Sequence, residues 1–125
     1  MQFQMGTDRP ARVVTGYGPS HIRVGEREIG TSVIVTADAV LPWSYATVAD
    51  LTPGALEPVL ALGVEVVLLA TGARQTWPDP ALIAQAARLR LGLEVMEIGA
   101  ACRTFNVLVA DRRAVALAAL LGTPG

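Results

Sequence analysis

The sequence predicts a mixed α/β fold, a single compact domain in which an antiparallel β front half joins a βαβα back half. Three observations carry this. Residues 12–36 hold short β-branched runs broken at glycines, the pattern of hairpin strands. A near-continuous apolar run, Val64 to Ala70, precedes a helical pattern and then a second strand-like run, the spacing of a right-handed βαβ unit. A chain of 125 residues, 52% hydrophobic, can bury a full core without disulfide or metal staples.

Residues 1–11 read as a flexible N-terminal arm, 12–121 as the α/β domain and 122–125 as a tail. Arg12 to Tyr17 is a first strand, and Gly16, Gly18 and Pro19 mark a turn. His21-Ile22-Arg23-Val24 alternates polar and apolar and is broken by Gly25-Glu26, so it reads as a hairpin arm. Glu28 to Thr36 is a third strand, and Asp38 to Tyr45 a loop carrying Pro42 and Trp43. Thr52 as N-cap and Pro53 at the first helical position start a short helix to Leu62, which Pro58 restricts to its second half and Gly63 stops. After the strand ending at Ala70, Thr71 to Pro78 is a loop. Asp79-Pro80 then caps a helix that runs to Leu91 and stops at Gly92. Leu93 to Ile98 is another strand. Thr104 to Val109 has strand propensity, but Phe105, Leu108, Val109 and Arg112 fall at helical spacing. The final stretch is therefore read as two consecutive helices, 100–110 and 112–121.

Composition excludes several functions. The net charge is -1 with no basic stripe, which argues against a nucleic-acid partner. All ten cationic residues are arginine, removing Schiff-base chemistry, a P-loop lysine and a lysine general base. No pair of histidines or cysteines has metal-ligand spacing, and no dinucleotide fingerprint or P-loop is present, so no metal and no cofactor is expected. The lone Cys102 cannot form an internal disulfide, the first residues lack a signal-peptide pattern, and no apolar run approaches the ~20 residues of a membrane span. A cytoplasmic protein without membrane insertion is expected. Only 17% of residues are charged, against ~25% in typical domains, which points to an exposed apolar face and hence to self-association or a protein partner.

The segment Met96 to Val109 concentrates the chemistry. It sets Cys102, Arg103, Thr104 and Asn106 in an otherwise apolar run, where each unpartnered polar group would cost roughly 1–3 kcal/mol. A guanidinium or a helix N-terminus beside Cys102 would lower its pKa toward a nucleophile; against that, small buried cysteines are common and the single histidine, His21, is remote in sequence. Arg103 needs an ion-pair partner, with Glu97, Asp111 and Glu94 as candidates, or an anionic ligand held by its fork. On a helix Asn106 shares its face. The loop Thr71 to Trp77 follows a buried strand, where α/β proteins bind ligands, and offers Gly72 for close approach and Arg74 for an anion. Trp43 and Trp77, each in a loop beside a proline, read as lids on the core or as interface anchors. His21, Glu26 and Glu28 read as surface residues.

The block Met96-Glu97-Ile98-Gly99-Ala100-Ala101-Cys102-Arg103-Thr104-Phe105-Asn106-Val107-Leu108, followed by Asp111 and Arg112, resembles a domain family with many uncharacterised bacterial and archaeal members. The family is related to mitochondrial complex I assembly factor 3 and the adipogenesis-associated domain protein. Gly16-Tyr17-Gly18-Pro19, the Trp43 loop, Asp50-Leu51-Thr52 and Ala70-Thr71-Gly72 agree with it, so the resemblance spans roughly residues 12–121. Ile98 stands where the family prefers threonine and Ala70 where it prefers glycine; the first removes a hydroxyl and the second reduces backbone approach to a ligand. The resemblance implies a compact α/β domain and a role like that of an assembly factor.

Two functional expectations follow. One is a non-catalytic protein-interaction or assembly module. The other is a binder of a small anionic ligand, or an enzyme, that uses Arg103 and Arg74 with Cys102 as accessory.

Overall fold

Strands form first where β-branched residues alternate with polar ones. In the computed structural model, which describes residues 11–125, β1 (Val14–Gly18), β2 (His21–Val24) and β3 (Arg27–Ile29) pair antiparallel as a sheet of their own. Val14, Ile22, Val24 and Ile29 supply its buried residues. The expected arm lies outside the described residues except for Ala11.

The strand expected over 28–36 is two strands in two sheets. The break falls at Gly30-Thr31-Ser32, and β4 (Val33–Val35) begins the second sheet. Ser32 is fully buried at this corner and bonded into it. Its N–H donates to the Thr123 carbonyl at 2.7 Å and its Oγ accepts from the Leu121 N–H at 3.0 Å. The stretch read as a loop holds another strand, β5 (Val40–Pro42), where proline is tolerated because β5 is an edge. With β6 (Val66–Ala70), β7 (Gly92–Met96) and β8 (Val115–Ala119) the sheet order is β5-β4-β8-β6-β7. β4 runs antiparallel to both β5 and β8, whereas β6 is parallel to both β8 and β7.

The largest correction concerns β8. Residues 112–121, expected as a helix, contain instead the central strand, and every residue from Val115 to Leu121 is buried. Alanine and leucine favour a helix by fractions of a kcal/mol per residue. Here β4 and β6 flank the segment, and a helix in its place would leave the facing ladder groups of both without partners. The back half is thus βαβαβ.

The helix expected from Thr52 to Leu62 is a 3-10 turn, Pro53–Leu56, running into α1 (Glu57–Leu60), whose first turn accommodates Pro58. In α2 (Pro80–Arg88), Asp79 accepts from the Ala81 N–H at 2.8 Å. The stop expected at Gly92 is made earlier by Arg90, at φ 58°, and Gly92 opens β7. In place of a helix starting at 100, α3 spans Ile98–Ala110 and is followed by Arg112, also at φ 58°. One face of the central sheet packs α3 and the small sheet through Val35, Leu68, Leu117, Phe105 and Ile22. The other packs α1, α2 and Trp43 through Ile34, Leu69, Ala118, Val59 and Leu82. Beyond β8, Gly122 and Gly125 donate to the carbonyls of Ala46 and Trp43.

Candidate functional site

The N-terminus of α3 leaves backbone donors that no helical carbonyl can satisfy. Glu97 supplies them with a carboxylate, accepting from the N–H groups of Gly99, at 3.0 Å, and of Ala100. Its negative charge also suits the positive end of the helix dipole. The same carboxylate lies 3.8 Å from Arg103, so of the three candidate partners it is Glu97 that Arg103 takes. Arg103 also donates to the Tyr17 hydroxyl at 2.6 Å, a contact across 86 residues of sequence that nothing in the motif announced. The Tyr17 ring lies against Gly99, where a Cβ would approach it to 2.9 Å, so the glycine is what lets β1 close on α3. Arg103 is not buried. Its side chain is 65% exposed and points away from the core.

Its neighbours turn the other way. Cys102 is buried in the core cluster with Ala101 and Phe105. Burial, aided by the Glu97 carboxylate and opposed by Arg103, pushes its thiol up from 9.0 to about 11. It is a neutral thiol at physiological pH, and nucleophilic chemistry requires the thiolate. Thr104 is half-buried on the flank. Asn106 is a clamp. Its Oδ1 accepts from the Val14 N–H and its Nδ2 donates to the Val14 carbonyl, both at 2.8 Å, fastening the outer edge of β1 to α3. His21 stands 3.7 Å from Glu28 on the neighbouring strand and makes no hydrogen bond to Cys102 among the described residues.

The second candidate region is the loop after β6. Thr71 fixes it by donating to the Arg74 carbonyl at 2.6 Å and accepting from the Thr76 N–H at 3.0 Å. Gly72, at φ 97°, accepts from the Ile98 N–H at 2.7 Å and so ties the loop to the start of α3. Beside it, at the carboxyl ends of β6 and β8, lies an open cleft of about 390 Å³ lined by Ser20, Thr47, Thr71, Gly72, Thr76 and Gly122 among others. Neither Arg74 nor Arg103 is among its lining residues. Arg74 is exposed in the loop. The two tryptophans differ. Trp43 is buried and donates from Nε1 to the Ala55 carbonyl at 3.1 Å, whereas Trp77 is 64% exposed. Among the described residues no helix is long and apolar enough to cross a membrane, and no three His, Cys, Asp or Glu side chains gather as a metal site would need.

Comparison with known proteins agrees with the fold. A solved structure of a Xanthomonas campestris protein superposes with a TM-score of 0.84 at 32% identity, covering 98% of this chain and 93% of the other. A Danio rerio protein named NADH dehydrogenase [ubiquinone] 1 alpha subcomplex assembly factor 3 is 27% identical over 114 residues, 90% of this chain and 65% of its own length, so the chain spans somewhat under two thirds of that relative. A Francisella tularensis protein named 13 kDa major membrane protein is 29% identical over 90 residues, 70% of this chain and 73% of its own. The family model described as a protein of unknown function (DUF498/DUF598) matches residues 14–120, and the chain belongs to that family.

Proposed function

We propose that this protein is a non-catalytic protein-interaction module of the assembly-factor kind, working in a reducing cytoplasm suited to its free cysteine. The observation that carries the reading is how the Cys-Arg-Thr block divides. Cys102 turns inward as a neutral core thiol, while Arg103 turns outward, held in place by Tyr17 and Glu97. Arginine and tyrosine are enriched where interfaces concentrate binding energy, and a pre-positioned guanidinium loses less freedom when a partner carboxylate arrives. The Danio rerio relative's name, an assembly factor, supports a protein partner. The test is affinity capture from extract with immobilised wild-type and Arg103→Ala protein, read by mass spectrometry. A partner retained by wild type and lost in the variant, with unchanged melting, supports the reading. Equal retention by both would remove Arg103 from it, and no retained protein would remove the reading itself.

A second reading, a small anionic ligand held by Arg74 and Arg103, draws support from the cleft. Its place at the ends of two parallel strands is where α/β folds bind ligands. Its lining is uncharged, so the arginines would have to reach in from outside it. A thermal-shift screen against anionic metabolites decides this. A ligand at ~100 times Kd adds about 2.7 kcal/mol, an increment that Arg103→Ala should abolish.

A further inference from the structure

Two arginines line one cavity of about 380 Å³ at the end of the small sheet, Arg12 from the segment before β1 and Arg27 from β3. Val13, Val24 and Val40 line it with them, and Gly25 lies in the turn between β2 and β3. The backbone on both sides is fixed. The Gly25 N–H donates to the Val13 carbonyl at 3.2 Å, and the Arg12 N–H donates to the Ala37 carbonyl at 3.1 Å.

Arg27 stands on the inner face of its sheet. It lies directly opposite Val24 and shares that face with Ile22 and Ile29, all three of them buried. Its neighbour Glu28 lies opposite Arg23 on the outer face, 3.7 Å from His21, and is turned away from the cavity. No carboxylate is among the lining residues, and neither Arg12 nor Arg27 makes an ion pair among the described residues. Asp38 lines a separate groove with Arg112 and Arg113, which shares only Ala11 with this cavity. Both Arg12 and Arg27 are exposed, so a ligand can reach them. A concavity lined by charges of one sign concentrates counter-ions of the other.

We propose that this cavity binds a phosphate monoester with a small apolar body. Two guanidiniums match the roughly two negative charges that a phosphate monoester carries at neutral pH, and each fork can take two phosphate oxygens. The valines give the apolar body a wall to cover, and the volume is in the range of small-molecule sites. An inward arginine on an edge strand can also guard that edge against pairing, a task that needs no ligand. Neither Arg74 nor Arg103 lines the cavity, and it has no residue in common with the cleft beside Thr71, so it stands or falls apart from both functional readings.

Titration calorimetry of the full chain with phenyl phosphate tests it, joined to amide chemical-shift mapping of the same mixture. Wild type should bind, and the largest shifts should fall at Val13, Val24 and Gly25. Arg27→Gln and Arg12→Gln, both at exposed positions, should keep the wild-type circular dichroism and each bind about tenfold more weakly or worse. Arg88→Gln, on the surface of α2, should bind as wild type does. Benzoate, with a single charge, and inorganic phosphate, with no apolar body, should each bind more weakly than phenyl phosphate. No binding by wild type would overturn the proposal and leave Arg27 as an edge guard. Equal binding by wild type and Arg27→Gln, an equal loss in Arg88→Gln, or shifts centred on Thr71 and Gly72 would also overturn it. Benzoate binding as tightly as phenyl phosphate would overturn the doubly charged ligand, and inorganic phosphate doing so would overturn the apolar body.

Discussion

Both faces of α3 carry apolar residues, with opposite consequences. The inner face buries Cys102, Phe105 and Val109 against the sheet, and the outer face exposes Arg103 and Val107 beside Tyr17. Apolar residues on the inner face need no further explanation, because the sheet covers them. On the outer face they do, since nothing among the described residues covers Val107. The difference teaches that motif residues adjacent in sequence can serve separate tasks. Within Cys102-Arg103, one helical step of about 100° sends the thiol into the core and the guanidinium toward solvent.

That division can be broken from the inside first. Phe105 is fully buried, and Phe105→Ala should cost about 3–5 kcal/mol in urea unfolding. A loss below about 1 kcal/mol would mean the inner face is not what holds α3 down. Asn106 joins the helix to β1, and Asn106→Ala strips both partners from the Val14 backbone. We expect a loss of about 1–3 kcal/mol, with faster amide exchange at Val14. Unchanged exchange there would show that β1 holds its edge without the clamp.

Cys102 sharpens the comparison through pH. Its folded pKa is raised above the unfolded value, so its contribution is intact below pH about 9, where both states hold the proton. Above that the unfolded thiol ionises first, and stability falls until the folded thiol titrates near about 11. Cys102→Ala should flatten the alkaline limb of the stability profile. An identical limb in both proteins would assign the decline to other groups. In the native protein at neutral pH iodoacetamide should modify the thiol slowly, and rapidly once the chain is unfolded. The smallest effect on stability belongs to the outer face. Arg103→Ala should change it by less than about 1 kcal/mol, because exposed ion pairs contribute little. A larger loss in thermal denaturation would make Arg103 a structural residue and weaken its assignment to an interface.

The sequence alone determined the elements whose local signals agree with their surroundings. The apolar run ending at Ala70 is β6, with neighbours on both sides, and Asp79-Pro80 starts α2. A run ending at a glycine turn marks β1, and polar–apolar alternation broken by Gly25 marks β2. The block around Cys102 is conspicuous because polar types interrupt an apolar run, and the sequence offers Glu97 among the partners for Arg103. Tertiary structure alone decided the rest, for a common reason: the deciding partner is distant in sequence. Residues 115–119 are a strand because β4 and β6 offer hydrogen-bond partners on either side, an effect that outweighs the helix preference of an alanine- and leucine-rich segment. Residues 28–36 divide between two sheets because Ser32 is gripped by the segment following β8. Arg103 points outward, Cys102 inward and Asn106 onto β1 because of how α3 is rotated against the sheet. That rotation is set by the packing of Phe105 and Val109 in the core, which no pattern within the motif specifies.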